Sequence, residues 1–215
     1  AQELFETVGK GVSEIDGAEV VICPPFVYIS QIQNTRYKIQ VGGQNCFWEN
    51  KGAFTGEVSP GMLRELGCSY VILGHSERKQ YLGETLKMVH KKAVAALKAG
   101  LTPVICIGEH VEQETREILE GIGKEERKRL VLVYEPEWAI STSPNAKPDT
   151  PANAQKAIGQ IKKIAGNDFP VLYGGSTNSK NIKSFIASGA QGALVGSASL
   201  DAKEFVQLVK NAATG

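Results

Sequence analysis

Seven short apolar runs rich in β-branched residues constrain this chain more than any other feature. They cover residues 19–23, 39–41, 70–73, 102–107, 130–134, 171–173 and 193–195. Several are continuously apolar, the pattern of strands covered on both faces. Between them lie stretches of helical period. Over 84–99, for example, Leu86, Val89, Val94 and Leu97 line one side, and Lys87, Lys91, Lys92 and Lys98 are expected on an exposed face. Alternating β and α units predict a parallel sheet within an α/β fold. The chain opens on a helix, since Leu4, Phe5, Val8, Val12 and Ile15 repeat at helical spacing. A strand ahead of it is missing from the pattern, and an open doubly wound sheet is the architectural rival to a closed barrel.

The 215 residues, 42% of them hydrophobic, suffice for one α/β domain, expected to span 1–215. The most proline-rich stretch, 143–151, is short and sits between a strand pattern and a helix pattern, so it reads as a loop of the site and not as a linker. Lysine and arginine number 24 against 23 acidic residues, a formal charge of +1 that gives no reason to expect nucleic acid or an acidic membrane surface as partner. Cys23, Cys46, Cys68 and Cys106 form no CxxC pair, which argues against a zinc site or redox motif and for buried thiols. No apolar run is long enough to span a membrane and no signal peptide is recognisable. A reducing cytoplasm fits these features.

Several strand patterns run out into glycine and polar residues before the next helix, as in Leu73-Gly74-His75-Ser76-Glu77, Tyr173-Gly174-Gly175-Ser176 and Val195-Gly196-Ser197. Parallel α/β folds bind their ligands at those carboxyl ends. His75 alone could be a structural histidine. Its position after a buried strand and at the start of a helix instead favours a neutral ring that donates a hydrogen bond to a carbonyl, because a helix N-terminus disfavours imidazolium. Glu135 could be a surface glutamate, yet it ends the buried run 130–134 and so stands at the mouth of the sheet. The following Pro136-Glu137-Trp138-Ala139-Ile140-Ser141-Thr142-Ser143 has the character of a hinged lid that would shed water from that carboxylate and make it a better base. Gly174-Gly175-Ser176 and Gly196-Ser197 combine close backbone approach with helix starts, so their amides can converge on an anion such as phosphate. A base, a neutral histidine and a phosphate cradle suit proton abstraction next to the carbonyl of a small phosphorylated sugar.

At these residues, and at Cys23-Pro24-Pro25-Phe26, Gly43-Gln44-Asn45, Gly52-Ala53-Phe54-Thr55-Gly56-Glu57, Cys106-Ile107-Gly108-Glu109 and Ala198-Ser199-Leu200, the sequence resembles the triosephosphate isomerase family. The resemblance implies a (β/α)8 TIM barrel, here without its first β-strand. It also implies an isomerase of glycolysis and gluconeogenesis that interconverts D-glyceraldehyde 3-phosphate and dihydroxyacetone phosphate through an enediolate. This enzyme is a standard example of a glutamate base paired with a neutral histidine under a closing loop. By resemblance Glu135 would shuttle the proton, His75 would act as electrophile and Glu77 would support the site. Ser141, Ser176, Gly196 and Ser197 would meet the phosphate. No cofactor or metal is implied. A cytoplasmic homodimer is, with the segment 44–57 reaching into the partner.

The sequence departs from the family in three places. Family members open with a strand ending in asparagine and lysine that contact substrate, and neither motif occurs here; loss of a charge-assisted partner would weaken transition-state binding. The alternative that follows is a catalytically impaired phosphate-binding relative, or a fragment of a longer polypeptide. The region between Glu109 and Leu130 is shorter than usual. The lid carries Glu137 where an apolar residue is common, and Ser141 and Ser143 where glycines are common. Another barrel enzyme acting on a phosphorylated sugar is a further reading, which isomerase assays on both triose phosphates would separate.

Overall fold

The computed structural model describes residues 1–32, 37–140 and 146–214. The chain runs α1 (Gln2–Val12), β1 (Val20–Ile22), α2 (Phe26–Ile32), β2 (Ile39–Gly43), α3 (Pro60–Glu65), β3 (Tyr70–Leu73), α4 (Ser76–Leu82), α5 (Leu86–Lys98) and β4 (Thr102–Ile107). It continues through α6 (Val111–Leu119), α7 (Lys124–Arg127), β5 (Val131–Tyr134), α8 (Pro151–Ala165), β6 (Val171–Tyr173), α9 (Ile182–Ala187) and α10 (Ala202–Ala213). The strands form one parallel sheet in the order β1-β2-β3-β4-β5-β6. Each strand therefore pairs with the next in sequence, and helical crossovers carry the chain between them.

Helix starts follow local chemistry. Ser59 Oγ accepts from the amide of Met62, Thr150 Oγ1 from that of Asn153, and Asp201 Oδ1 from those of Lys203 and Glu204. These side chains satisfy amides that have no partner within the helix. Pro60 and Pro151 occupy the first helical positions, where their missing N–H costs nothing.

The strands alternate between two apolar layers, as a period of two requires. Leu73, Ile105, Ile107, Leu132 and Tyr134 point outward into the main core, with Val8, Ile29, Leu63, Val89, Ala93 and Ile158 of the helices. Val104, Cys106 and Val133 face the opposite way and meet Tyr70, Ile72, Val131, Leu172 and Leu194. The sheet is thus curled, with its concave face filled by its own side chains. The first and last helices pack against each other: a methyl group on Gly11 of α1 would lie 2.5 Å from Val206 Cγ2 of α10, so glycine permits the approach.

Two expectations need correction. Residues 193–195 make no full strand among the described residues; Ala193 forms an isolated parallel bridge with Tyr173, and Leu194 N–H bonds to Tyr173 O at 2.9 Å. A segment at the rim of a sheet, paired on one side, retains only part of a ladder. Lys92 is not on the exposed face of α5. It is buried at 2% exposure, where Nζ donates to Glu84 and to Asn45 Oδ1. Periodicity placed it among lysines, but an acidic partner on the preceding loop drew it inward.

Candidate active site

Gly74 follows β3 with φ +70°, and a methyl group there would meet Val89 at 3.1 Å. Only glycine accepts that turn cheaply, and it delivers His75 to the N-cap of α4. His75 Nδ1 accepts from the amide of Glu77 at 3.2 Å, so the opposite nitrogen, Nε2, carries the ring proton. That nitrogen lies 3.0 Å from Oε1 of Glu135.

Glu135 continues from β5, with its own N–H donating to Ile107 O at 2.8 Å. The residue is 1% exposed. A buried carboxylate is tolerable only when well supplied with donors. Besides His75 it receives the Ser76 amide at 3.0 Å on Oε2 and the Ser76 hydroxyl at 3.3 Å on Oε1. Behind it a methyl group on Gly174 would meet Val133 Cγ1 at 2.7 Å and Glu135 Cβ at 3.4 Å, so the turn after β6 packs directly against the carboxylate's stem.

Burial works to lower the affinity of His75 for its proton, but the hydrogen bond and charge of Glu135, aided by Glu77, outweigh burial and nearby Lys79, so its pKa moves up. The expected effect of the helix start survives only in the Glu77 amide held by Nδ1. Tertiary contact with the glutamate governs the ring. Burial and then the same carboxylate push the Cys106 thiol well up, leaving it an inert thiol on the concave face.

Glu77 lies beside the pair, with Oε2 3.8 Å from His75 Nδ1. Ser176 is engaged differently: its amide and its hydroxyl both donate to Ala139 O, at 3.0 and 2.7 Å. This ties the turn after β6 to the 3-10 turn Glu137–Ala139 that follows Glu135. Gly196 and Ser197 lie exposed at the same end of the sheet, beyond Leu194, where Gly196 O accepts from the Ser199 amide and hydroxyl. Ser141, and with it residues 141–145 of the expected lid, lies outside the described residues.

Direct contact therefore unites His75, Glu77 and Glu135, while Ser176, Gly196 and Ser197 share their rim. Sequence reasoning passed over Ser76, whose two donors hold Glu135, and Lys79, which faces the same mouth from α4. The signal for Ser76 was its place directly after His75 in the first turn of a helix, where amides point outward unpaired. Among the described residues no group of three or more His, Cys, Asp or Glu could hold a metal ion.

The family model described as triosephosphate isomerase matches residues 1–212. A triosephosphate isomerase of Caldanaerobacter subterraneus subsp. tengcongensis is 44% identical, over 89% of this chain and 86% of the relative. One of Dehalococcoides mccartyi is 44% identical over 98% of this chain and 89% of its own length. One of Dictyoglomus thermophilum is 40% identical over 96% and 90%. With matches of that extent over a parallel sheet carrying the paired histidine and glutamate at its mouth, the chain belongs to the triosephosphate isomerase family.

Proposed function

We propose that this chain interconverts D-glyceraldehyde 3-phosphate and dihydroxyacetone phosphate. The observation that carries the reading is a buried carboxylate, Glu135, held by the amide and hydroxyl of Ser76 and within reach of the His75 N–H. Glu135 takes a proton from the carbon next to the carbonyl. His75 Nε2–H, released from Glu135 by the incoming carbonyl, donates to the oxygen on which charge develops and so stabilises the enediolate. Glu135 then returns the proton to the neighbouring carbon while the hydroxyl proton passes from one oxygen of the enediolate to the other by way of His75 Nε2, and Glu77 keeps the ring oriented through its amide. The amides of Ser176, Gly196 and Ser197 face the phosphate, with Ser141 joining from the lid. For Ser176 this requires its amide to leave Ala139 O, which couples phosphate binding to movement of the turn that follows the base.

The test is isomerisation of glyceraldehyde 3-phosphate by the wild type and by Glu135→Gln. Activity that collapses in the variant supports the assignment. Wild-type activity retained by the variant overturns Glu135 as base, and an inactive wild type overturns the reaction.

The active form is a homodimer. Exposed Val27, Phe54, Met62, Tyr81 and Leu82 support this reading, as does the exposed course of residues 51–57. Light scattering after gel filtration tests it: a mass near twice 23.1 kDa is expected. Free cysteines at all four positions agree with action in a reducing cytoplasm.

A further inference from the structure

Glu114, in the first turn of α6, is a buried acid at 6% exposure that takes no direct part in the proposed reaction. Its Oε2 accepts from Lys79 Nζ at 2.9 Å and from the Gly108 amide at 2.9 Å, and its Oε1 accepts from the His110 amide at 3.3 Å. A methyl group on Gly108 would lie 3.0 Å from Glu114 Oε1, so the bare backbone there lets the carboxylate come this close. The two amides account for an acid at this place: His110 makes no side-chain cap at the start of α6, and Glu114 supplies the missing acceptor. They do not account for Lys79, which belongs to α4, 35 positions earlier in the chain.

Both partners lead to the reacting groups. The Gly108 N–H and the Ile107 carbonyl are the two ends of one planar peptide unit. Glu114 Oε2 holds the first, and the second accepts the Glu135 N–H at 2.8 Å. The His75 carbonyl and the Ser76 N–H form another such unit. Lys79 donates its amide to that carbonyl at 3.2 Å, and the Ser76 amide donates to Glu135 Oε2 at 3.0 Å. Glu114 thus stands one rigid peptide from the Glu135 backbone and, through Lys79, one helical turn from His75.

We propose that Glu114 is a positioning residue for the reaction: held between Lys79 and the 107–108 peptide, its carboxylate sets the distance between the helix that carries His75 and the strand end that carries Glu135. This rests on His75 and Glu135 acting as electrophile and base. A buried carboxylate bonded to an ammonium and two amides is a fixed point, because each bond is charge-assisted and the surroundings screen it little. Lys79 makes the contact a clamp. Without the ammonium Glu114 still caps α6, but α4 is released from the turn after β4.

Four variants, Glu114→Gln, Lys79→Met, Lys79→Arg and the double variant of the first two, are compared with the wild type. The readings are isomerase kinetics, thermal melting and the proton NMR signal of His75 Nε2–H, identified by its loss in His75→Gln. Glu114→Gln keeps an acceptor for the Gly108 amide and loses the charge that holds Lys79. Its kcat should fall about tenfold with KM changed by less than about twofold, because misplacing held groups weakens the chemical step more than binding. Lys79→Met should lose a similar factor, and Lys79→Arg, which keeps a cationic donor, should stay within about twofold of the wild type. The double variant should fall no further than the worse single one, since each removes the same contact. The His75 signal should shift in Glu114→Gln and Lys79→Met and stay in place in Lys79→Arg.

A role confined to capping α6 predicts a lower melting temperature in Glu114→Gln with kcat and the His75 signal unchanged, and that result overturns the proposal. Unchanged kcat in Lys79→Met overturns it as well. That variant, at a side chain 19% exposed, decides alone if Glu114→Gln does not fold. An inactive wild type whose His75 signal still shifts in Glu114→Gln and Lys79→Met overturns the isomerase reading and upholds the clamp, and one whose signal stays in place overturns both.

Discussion

His75 Nε2 and Glu135 Oε1 stand 3.0 Å apart, so the two groups with the clearest chemistry in this chain hold each other. The contact supplies the buried carboxylate with a donor, and on the proposed mechanism the substrate carbonyl competes for the same N–H. On that mechanism activity depends on exchanging partners rather than on building a site anew.

Such an exchange would make the pair act as one unit in catalysis. Glu135→Gln and His75→Gln should each lower kcat by about 10²- to 10⁴-fold, and the double variant should be far less impaired than the product of the two losses. Steady-state kinetics with purified variants, checked for native circular dichroism, measures this. Additive losses would mean that the two residues work in separate steps.

The same contact sets a pH dependence of stability. The pKa of His75 lies above its ordinary 6.5 in the folded chain, so the fold favours the protonated ring. That contribution is fully present below the unfolded value and is lost as pH rises through the folded one. Urea unfolding from about pH 5.5 to 8.5 should show the largest stability advantage of the wild type over His75→Gln at the acid end, shrinking toward the alkaline end.

Gly174 tests how tightly the site is packed. Gly174→Ala places a methyl group 2.7 Å from Val133 Cγ1 and 3.2 Å from Tyr134 O, and one of these must yield. Overpacking of this kind costs about 1–3 kcal/mol. Because the displaced region carries Glu135, kcat should fall with KM less affected. A variant with lowered melting temperature and undiminished kcat would show that the strain is absorbed elsewhere.

Lys92, Glu84, Arg78 and Asn45 form a buried polar knot between α5, the α4–α5 connection and the loop after β2, with Arg78 Nε 3.2 Å from Glu84 Oε1 and Lys92 Nζ 2.9 Å from Asn45 Oδ1. Lys92→Met removes one cation and leaves Glu84 buried beside the other. Stability should drop by about 3–5 kcal/mol in chemical denaturation, the usual effect of breaking a buried pair from one side. A loss under about 1 kcal/mol would mean that Arg78 alone compensates Glu84.

The β/α alternation, the opening helix, the strand ends at Leu73, Tyr134 and Tyr173, and the candidates His75 and Glu135 were all legible in the sequence. Local period, turn glycines and the placing of polar residues after apolar runs encode them, and each acts over a few residues. Sequence by itself likewise carried the ordered motifs that mark the family. Tertiary structure alone decided that Lys92 is buried, that residues 193–195 pair only at one bridge, and that the His75 proton is governed by Glu135 and not by its helix. It also gathered Lys79 and Glu114 beside Gly108. Most of these outcomes depend on groups far apart in the chain, 47 positions for Lys92 with Asn45 and 59 for Ser76 with Glu135, and burial and charge pairing at such separations follow from how the sheet curls, which no local pattern specifies.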